Sequence, residues 1–124
     1  MDLETFNGFC ASLPATEKVV QWGGAHVWKV GGKIFALSGP WGPSREDGSF
    51  KIAFKCSDMA FRMLCDSDGI EPAPYLGRYK WVQIQVADAL SLADHEDYIR
   101  QAHTIVAAKL TKRVRKELGL SQLA

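Results

Sequence analysis

Two consecutive glycines, Gly31 and Gly32, separate the alternating runs HVWKV (26–30) and KIFALS (33–38). A two-residue primed turn needs positive φ at its centre, so a Gly-Gly pair between such runs is a strong hairpin signal. That hairpin commits the chain to antiparallel pairing, and other segments extend it. EKVVQW (17–22) precedes it across Gly23-Gly24, and FKIAFK (50–55) follows. YKWVQIQV (79–86) alternates, with Val82, Ile84 and Val86 on one face and Trp81, Gln83 and Gln85 on the other. Residues 39–49, rich in glycine and proline, read as a loop, and EPAPYLG (71–77) holds too much proline for a central strand.

Helices flank these strands. Leu3, Phe6, Cys10 and Leu13 recur at spacings of three and four behind Asp2, which predicts a capped helix over 2–13 stopped by Pro14. Ser57 or Asp58 can cap a short helix whose apolar residues include Met59, Phe61, Met63 and Leu64, ended by DSDG (66–69). From Asp94, one long helix is expected to run to about Leu118, with Gly119 as its C′ residue and Ile99, Ala102, Val106, Leu110 and Val114 as its apolar stripe. The predicted class is α+β: a twisted antiparallel sheet of four or five strands, packed against N- and C-terminal helices, its other face polar.

The chain has 124 residues, 47% of them hydrophobic, which suits a single domain over 1–124 that needs neither disulfide nor metal for its core. No basic residue precedes Lys18 and no run of 18 apolar residues occurs, so neither a secretory signal nor a transmembrane helix is expected. Cys10, Cys56 and Cys65 form no CxxC pair and read as reduced thiols in a cytoplasmic protein. No metal site and no cofactor are expected.

The formal charge of +1 hides an asymmetry. Residues 98–124 carry Arg100, Lys109, Lys112, Arg113, Arg115 and Lys116 against Glu117 alone, leaving the rest of the chain net acidic. On a continuous helix Lys109, Lys112, Arg113 and Lys116 share one face, about 80° from the apolar stripe, and could meet three or four phosphates. Cations also gather at helix C-termini because the macrodipole favours them, so spacing alone does not choose between the two roles.

The four tryptophans are large for so small a chain. Trp22, Trp28 and Trp81 could form an aromatic platform but read first as core residues, and Trp41, in the loop, is the one expected to be exposed. No catalytic constellation emerges. The three histidines fall on different elements, and no GxSxG elbow is present. His103 sits between apolar helix positions and reads as a packing residue. Asp66 and Asp68 lack the remaining ligands of a calcium loop, and GGKIFALSG lacks the ending of a phosphate-binding loop.

The segments SLPAT (12–16), WGGAHVWKVGGKIFAL (22–37), FKCS (54–57), GIEPAPYL (69–76) and KWVQIQV (80–86), together with YIRQAHTIVAAKLTKRVRKEL (98–118), resemble the MmcQ/YjbR family over nearly the whole chain. Tyr75 and His103 depart from that family's pattern. The resemblance implies a CyaY-like two-layer sandwich of bacterial type and a DNA-binding label, with two β-hairpins acting as wings. The first wing would carry Lys29 and Lys33, the second Arg45, ahead of Lys51 and Lys55. It does not extend to frataxin-like iron binding, since the first helix holds only Asp2 and Glu4 as acids.

The expected function is therefore non-enzymatic, phosphate-directed DNA binding through Lys29, Lys33, Arg45, Lys109, Lys112, Arg113, Arg115 and Lys116. The alternative is a ligand or protein-interaction module on the polar sheet face, with Trp22, His26, Trp28, Lys55, Tyr75 and Trp81 around a pocket.

Overall fold

The first helix, α1 (Leu3–Ser12), starts where Asp2 accepts a hydrogen bond from the Thr5 N–H at 2.8 Å, and it buries Phe6 and Cys10. The computed structural model describes residues 1–21, 23–39, 51–74, 76–85 and 87–120. Trp22, Trp41, Arg45 and Tyr75 lie outside the described residues, as does most of the predicted loop.

Strands β1 (Thr16–Gln21), β2 (Ala25–Val30), β3 (Lys33–Gly39), β4 (Lys51–Lys55), β5 (Ile70–Pro72) and β6 (Trp81–Ile84) form one antiparallel sheet in the order β1-β2-β3-β4-β6-β5. The predicted hairpin is β2–β3, with φ of 58° and 80° at Gly31 and Gly32. The proline-rich segment contributes a sixth strand, short and at the sheet edge. Proline is tolerated there because no second neighbour needs its missing N–H.

Antiparallel partners share a face, so the register sorts the side chains. Trp28, Ala36, Phe54 and Val82 align across β2, β3, β4 and β6 on the face covered by helices. α1, α2 (Asp58–Cys65) and α3 (Leu92–Ala108) contribute Phe6, Cys10, Leu64, Ile99, Ala102 and Val106 to that core. In α2 it is Ala60 and Leu64 that turn inward, whereas Met59 and Met63 are 68% and 59% exposed.

The opposite face is not polar. Val27, Leu37, Ala53, Ala73 and Trp81 form a second buried cluster there, and Gln83 is buried beside them. Alternation distinguishes two faces but carries no information about what covers the second, which is why the sequence reading missed it.

The expected long helix is two helices. α3 begins after Ser91, whose hydroxyl accepts from the Asp94 N–H at 3.1 Å, so Ser91 and not Asp94 is the cap. It ends at Lys109, and α4 (Lys112–Glu117) restarts after Thr111, which is extended and caps Val114. The elbow lets Leu110 enter the core against the β2–β3 turn, where a Cβ on Gly31 would lie 2.6 Å from Leu110 Cδ1. Gly119 terminates α4 as expected: its N–H bonds the Lys116 carbonyl and the Leu120 N–H bonds that of Arg115, a Schellman arrangement that buries Leu120.

Candidate nucleic-acid interface

The packing of Leu110 on Gly31 brings the elbow to the β2–β3 turn. Lys29 and Lys33 flank that turn, and Lys109 and Lys112 flank the elbow. Because Ala36 pairs with Phe54 and Lys55 with Trp81, the last residue of β4 and the first of β6 lie at this same end of the sheet. Lys55, Arg78 and Lys80 therefore join the same end. Lys33, Arg78, Lys109 and Lys112 have no acidic partner among the described ion pairs, which are Arg100–Asp97 and Arg113–Glu117. Acids at this end include Glu17, the register partner of Lys29, and Asp58 at the start of α2.

Lys55 donates through Nζ to the Tyr79 carbonyl, and the Cys56 N–H bonds the Lys80 carbonyl at 2.8 Å. Partial burial holds the Lys55 ammonium below its usual pKa, and Lys109 and Lys80 push the same way against the opposing pull of Asp58. Lys80 itself adopts φ of 65°, unusual for a residue with a side chain, and its Nζ lies 5.1 Å from the Phe61 ring centroid.

The far end of the sheet is different. The Gln85 N–H bonds the Gly69 carbonyl at 2.7 Å, which ties the end of β6 to the turn after α2 and places Asp66, Asp68 and Glu71 there. Asp88 and Asp94 lie close by in the chain, at the approach to α3 and in its first turn. Lys51, at the start of β4, is also at this end and donates to the Gln85 carbonyl.

Two expectations change. The four cations at 109, 112, 113 and 116 do not share one helical face, because the elbow intervenes; Arg113 also pairs with Glu117 at 3.2 Å. The β2–β3 hairpin is not a projecting wing either: both strands are interior to the sheet and the turn is docked on Leu110. Lys29 and Lys33 thus line a seam with the elbow. Arg115 and Lys116 continue outward on α4.

Of the residues expected around a ligand pocket, the four that are described do not all meet. His26 and Trp28 lie on the helix-covered face, where the Trp28 indole N–H donates to Asn7 Oδ1 at 2.9 Å and Asn7 Nδ2 donates to His26 Nδ1 at 3.2 Å. Lys55 and Trp81 belong to the opposite face. Trp28 and Trp81 are only 6% and 7% exposed, and Gln83 is 1% exposed, so no aromatic-polar contact surface forms from them.

Four further histidine and cysteine side chains, His95, His103, Cys10 and Cys56, are buried, whereas Cys65 is only partly so. His103 donates from Nε2 to the Pro14 carbonyl at 2.8 Å and meets the Phe35 ring edge-on. His95 donates from Nδ1 to the Ser91 carbonyl at 3.0 Å, and its Nε2 has no partner among the described residues. Burial lowers the pKa of both. It pushes the Cys56 thiol up to about 12 and raises Cys10 further. Among the described residues no three His, Cys, Asp or Glu side chains are grouped to hold a metal ion. No described helix is long and apolar enough to cross a membrane.

These features define an α+β protein whose six-stranded antiparallel sheet carries N- and C-terminal helices on one face and gathers cations at one end. The YjbR family model matches residues 11–105, and the chain belongs to that family. Its fold is similar to the crystal structure of Deinococcus radiodurans protein DR2400, a DUF419 domain, with a TM-score of 0.79 at 22% identity, covering 96% of this chain and 88% of that one. No curated protein matches the chain.

Proposed function

We propose that this YjbR-family protein binds nucleic acid weakly, mainly through its phosphates, at the end of the sheet that carries Lys29, Lys33, Lys55, Arg78, Lys80, Lys109 and Lys112. The observation that carries the reading is the seating of Leu110 on Gly31, which joins hairpin and elbow cations into one surface although the net charge is only +1. Point charges spread over one end of a fold favour a polyanion over a small acid, and exposed lysines recognise phosphates without reading bases. The burial of His95, His103, Cys10 and Cys56 supports a binding role over a catalytic one. Three cysteines without a disulfide suit a reducing, cytoplasmic setting.

Fluorescence anisotropy with labelled oligonucleotides tests this. With about four phosphate contacts, duplex affinity should fall between 50 and 200 mM salt with a log–log slope near −3.6. Lys33→Glu/Lys109→Glu/Lys112→Glu should abolish binding, whereas Arg62→Glu/Arg100→Glu, two reversals outside that end, should change it little. Salt-independent binding, or equal loss in both variants, overturns the reading.

A further inference from the structure

Among the large exposed hydrophobic side chains of the described residues, Tyr79 is the one aromatic, 51% exposed, and it stands within the cationic end. It belongs to a short 3-10 turn, Gly77–Tyr79, joining the edge strand β5 to β6. Four hydrogen bonds and one close packing contact hold that turn. The Tyr79 and Trp81 N–H groups both bond the Leu76 carbonyl, at 3.0 and 3.4 Å, and the Lys80 N–H bonds the Gly77 carbonyl at 2.9 Å. Lys55 Nζ reaches the Tyr79 carbonyl. Gly77 packs so closely on Pro72 that a Cβ would lie 2.9 Å from the proline Cβ.

The ring is therefore presented on a fixed support. The Arg78 guanidinium lies 4.8 Å from its centroid and donates to its hydroxyl at 2.8 Å, yet half of the side chain stays open to solvent. Lys80, next in the chain, is held in left-handed backbone geometry, a conformation that costs energy in a residue with a side chain and persists where neighbouring contacts impose it. Further positive charge stands near the turn, with Lys55 Nζ at the Tyr79 carbonyl and Lys80 Nζ 5.1 Å from the Phe61 ring centroid.

An exposed aromatic ring flanked by cations is what single-strand binders use: the ring stacks a base while the charges follow the backbone. Bases in a duplex are stacked on one another and offer no free face to such a ring. We propose that Tyr79, with Arg78 against it, stacks an unpaired base of single-stranded nucleic acid whose phosphates lie along Lys55 and Lys80. The inference rests on the phosphate-binding reading above and adds the strandedness of the ligand.

The test compares a labelled oligo-dT strand with a duplex of equal length, using the full chain and its Tyr79→Ala and Tyr79→Trp variants. Loss of one stacked base should weaken oligo-dT binding by roughly five- to twentyfold in Tyr79→Ala while duplex binding changes less than about twofold. Tyr79→Trp should keep single-strand affinity, because an indole stacks at least as well. The inference is overturned if Tyr79→Ala binds oligo-dT like the unaltered protein, if both ligands weaken equally, or if Tyr79→Trp loses as much as Tyr79→Ala. If those results occur while the Lys33/Lys109/Lys112 reversal still abolishes binding, stacking fails and phosphate binding stands. If the unaltered protein binds neither ligand, both readings fall.

Discussion

The helix-covered interior and the cationic end of the sheet divide the chemistry of this protein between them. The interior holds four side chains capable of proton transfer or nucleophilic attack, His95, His103, Cys10 and Cys56, all nearly or wholly excluded from water, while His26 and Cys65 are only partly buried. The burial of those four favours the neutral forms: imidazoles that carry a single ring proton and thiols that keep theirs. The cationic end holds side chains whose use is charge, and most of these remain in contact with solvent. Those four groups are packed as core, and what the cationic end offers is electrostatic. Leu110 connects the two regions, since it fills the core and at the same time fixes the elbow that carries Lys109 and Lys112.

Removing that connection should have the largest effect. Leu110→Ala leaves a cavity under the β2–β3 turn and should cost about 2–4 kcal/mol in urea unfolding. It should also weaken oligonucleotide binding, because the elbow loses its seat. Gly31→Ala attacks the same contact from the other side, combining a positive φ with a Cβ 2.6 Å from Leu110 Cδ1, and should cost about 1–3 kcal/mol. Because the two residues touch, the double variant should fall short of the sum. Full additivity would mean that the seam does not couple core and surface.

Acid should sharpen the contrast. His95 and His103 have lowered folded-state pKa values, so below the ordinary histidine value near 6.5 the unfolded chain takes up protons that the folded one resists. Stability is then fully present above about pH 6.5 and falls as pH drops below it. Thermal melts from pH 7.5 to 5 check this, and His103→Leu should flatten the decline. A melting temperature that rose with acid would contradict the burial of these imidazoles.

The smallest effect concerns the elbow alone. Thr111→Ala removes the hydroxyl that accepts from the Val114 N–H and should cost about 0.5–1 kcal/mol, with Thr111→Ser close to the unaltered protein.

Much of the fold was legible because its signals are local. Gly31-Gly32 demands a turn wherever it occurs, Asp2 and Ser57 precede apolar periodicity, and Gly119 ends a helix by its left-handed conformation. The break at 109–111 was not legible: Leu110 and Val114 continue the helical stripe, and only the position of Gly31, far away in the chain, draws Leu110 inward. The candidate site was half legible for the same reason. The basic run at 109–116 and the hairpin lysines can be read from the sequence. That Lys55, Arg78 and Lys80 join them depends on the β4–β6 register, which no spacing encodes. Trp81 shows the converse failure, since its alternation with Val82 was visible but the burial of its own face was not.

The most direct test of the central claim is a 1H–15N titration of the protein with a short oligonucleotide at low salt. The account predicts that shifted amides concentrate at residues 29–33, 55, 78–80 and 109–112, and that they return toward their free positions as salt is raised. Shifts concentrated instead at Asp66–Glu71 and Asp88–Asp94, or scattered without salt dependence, would contradict it.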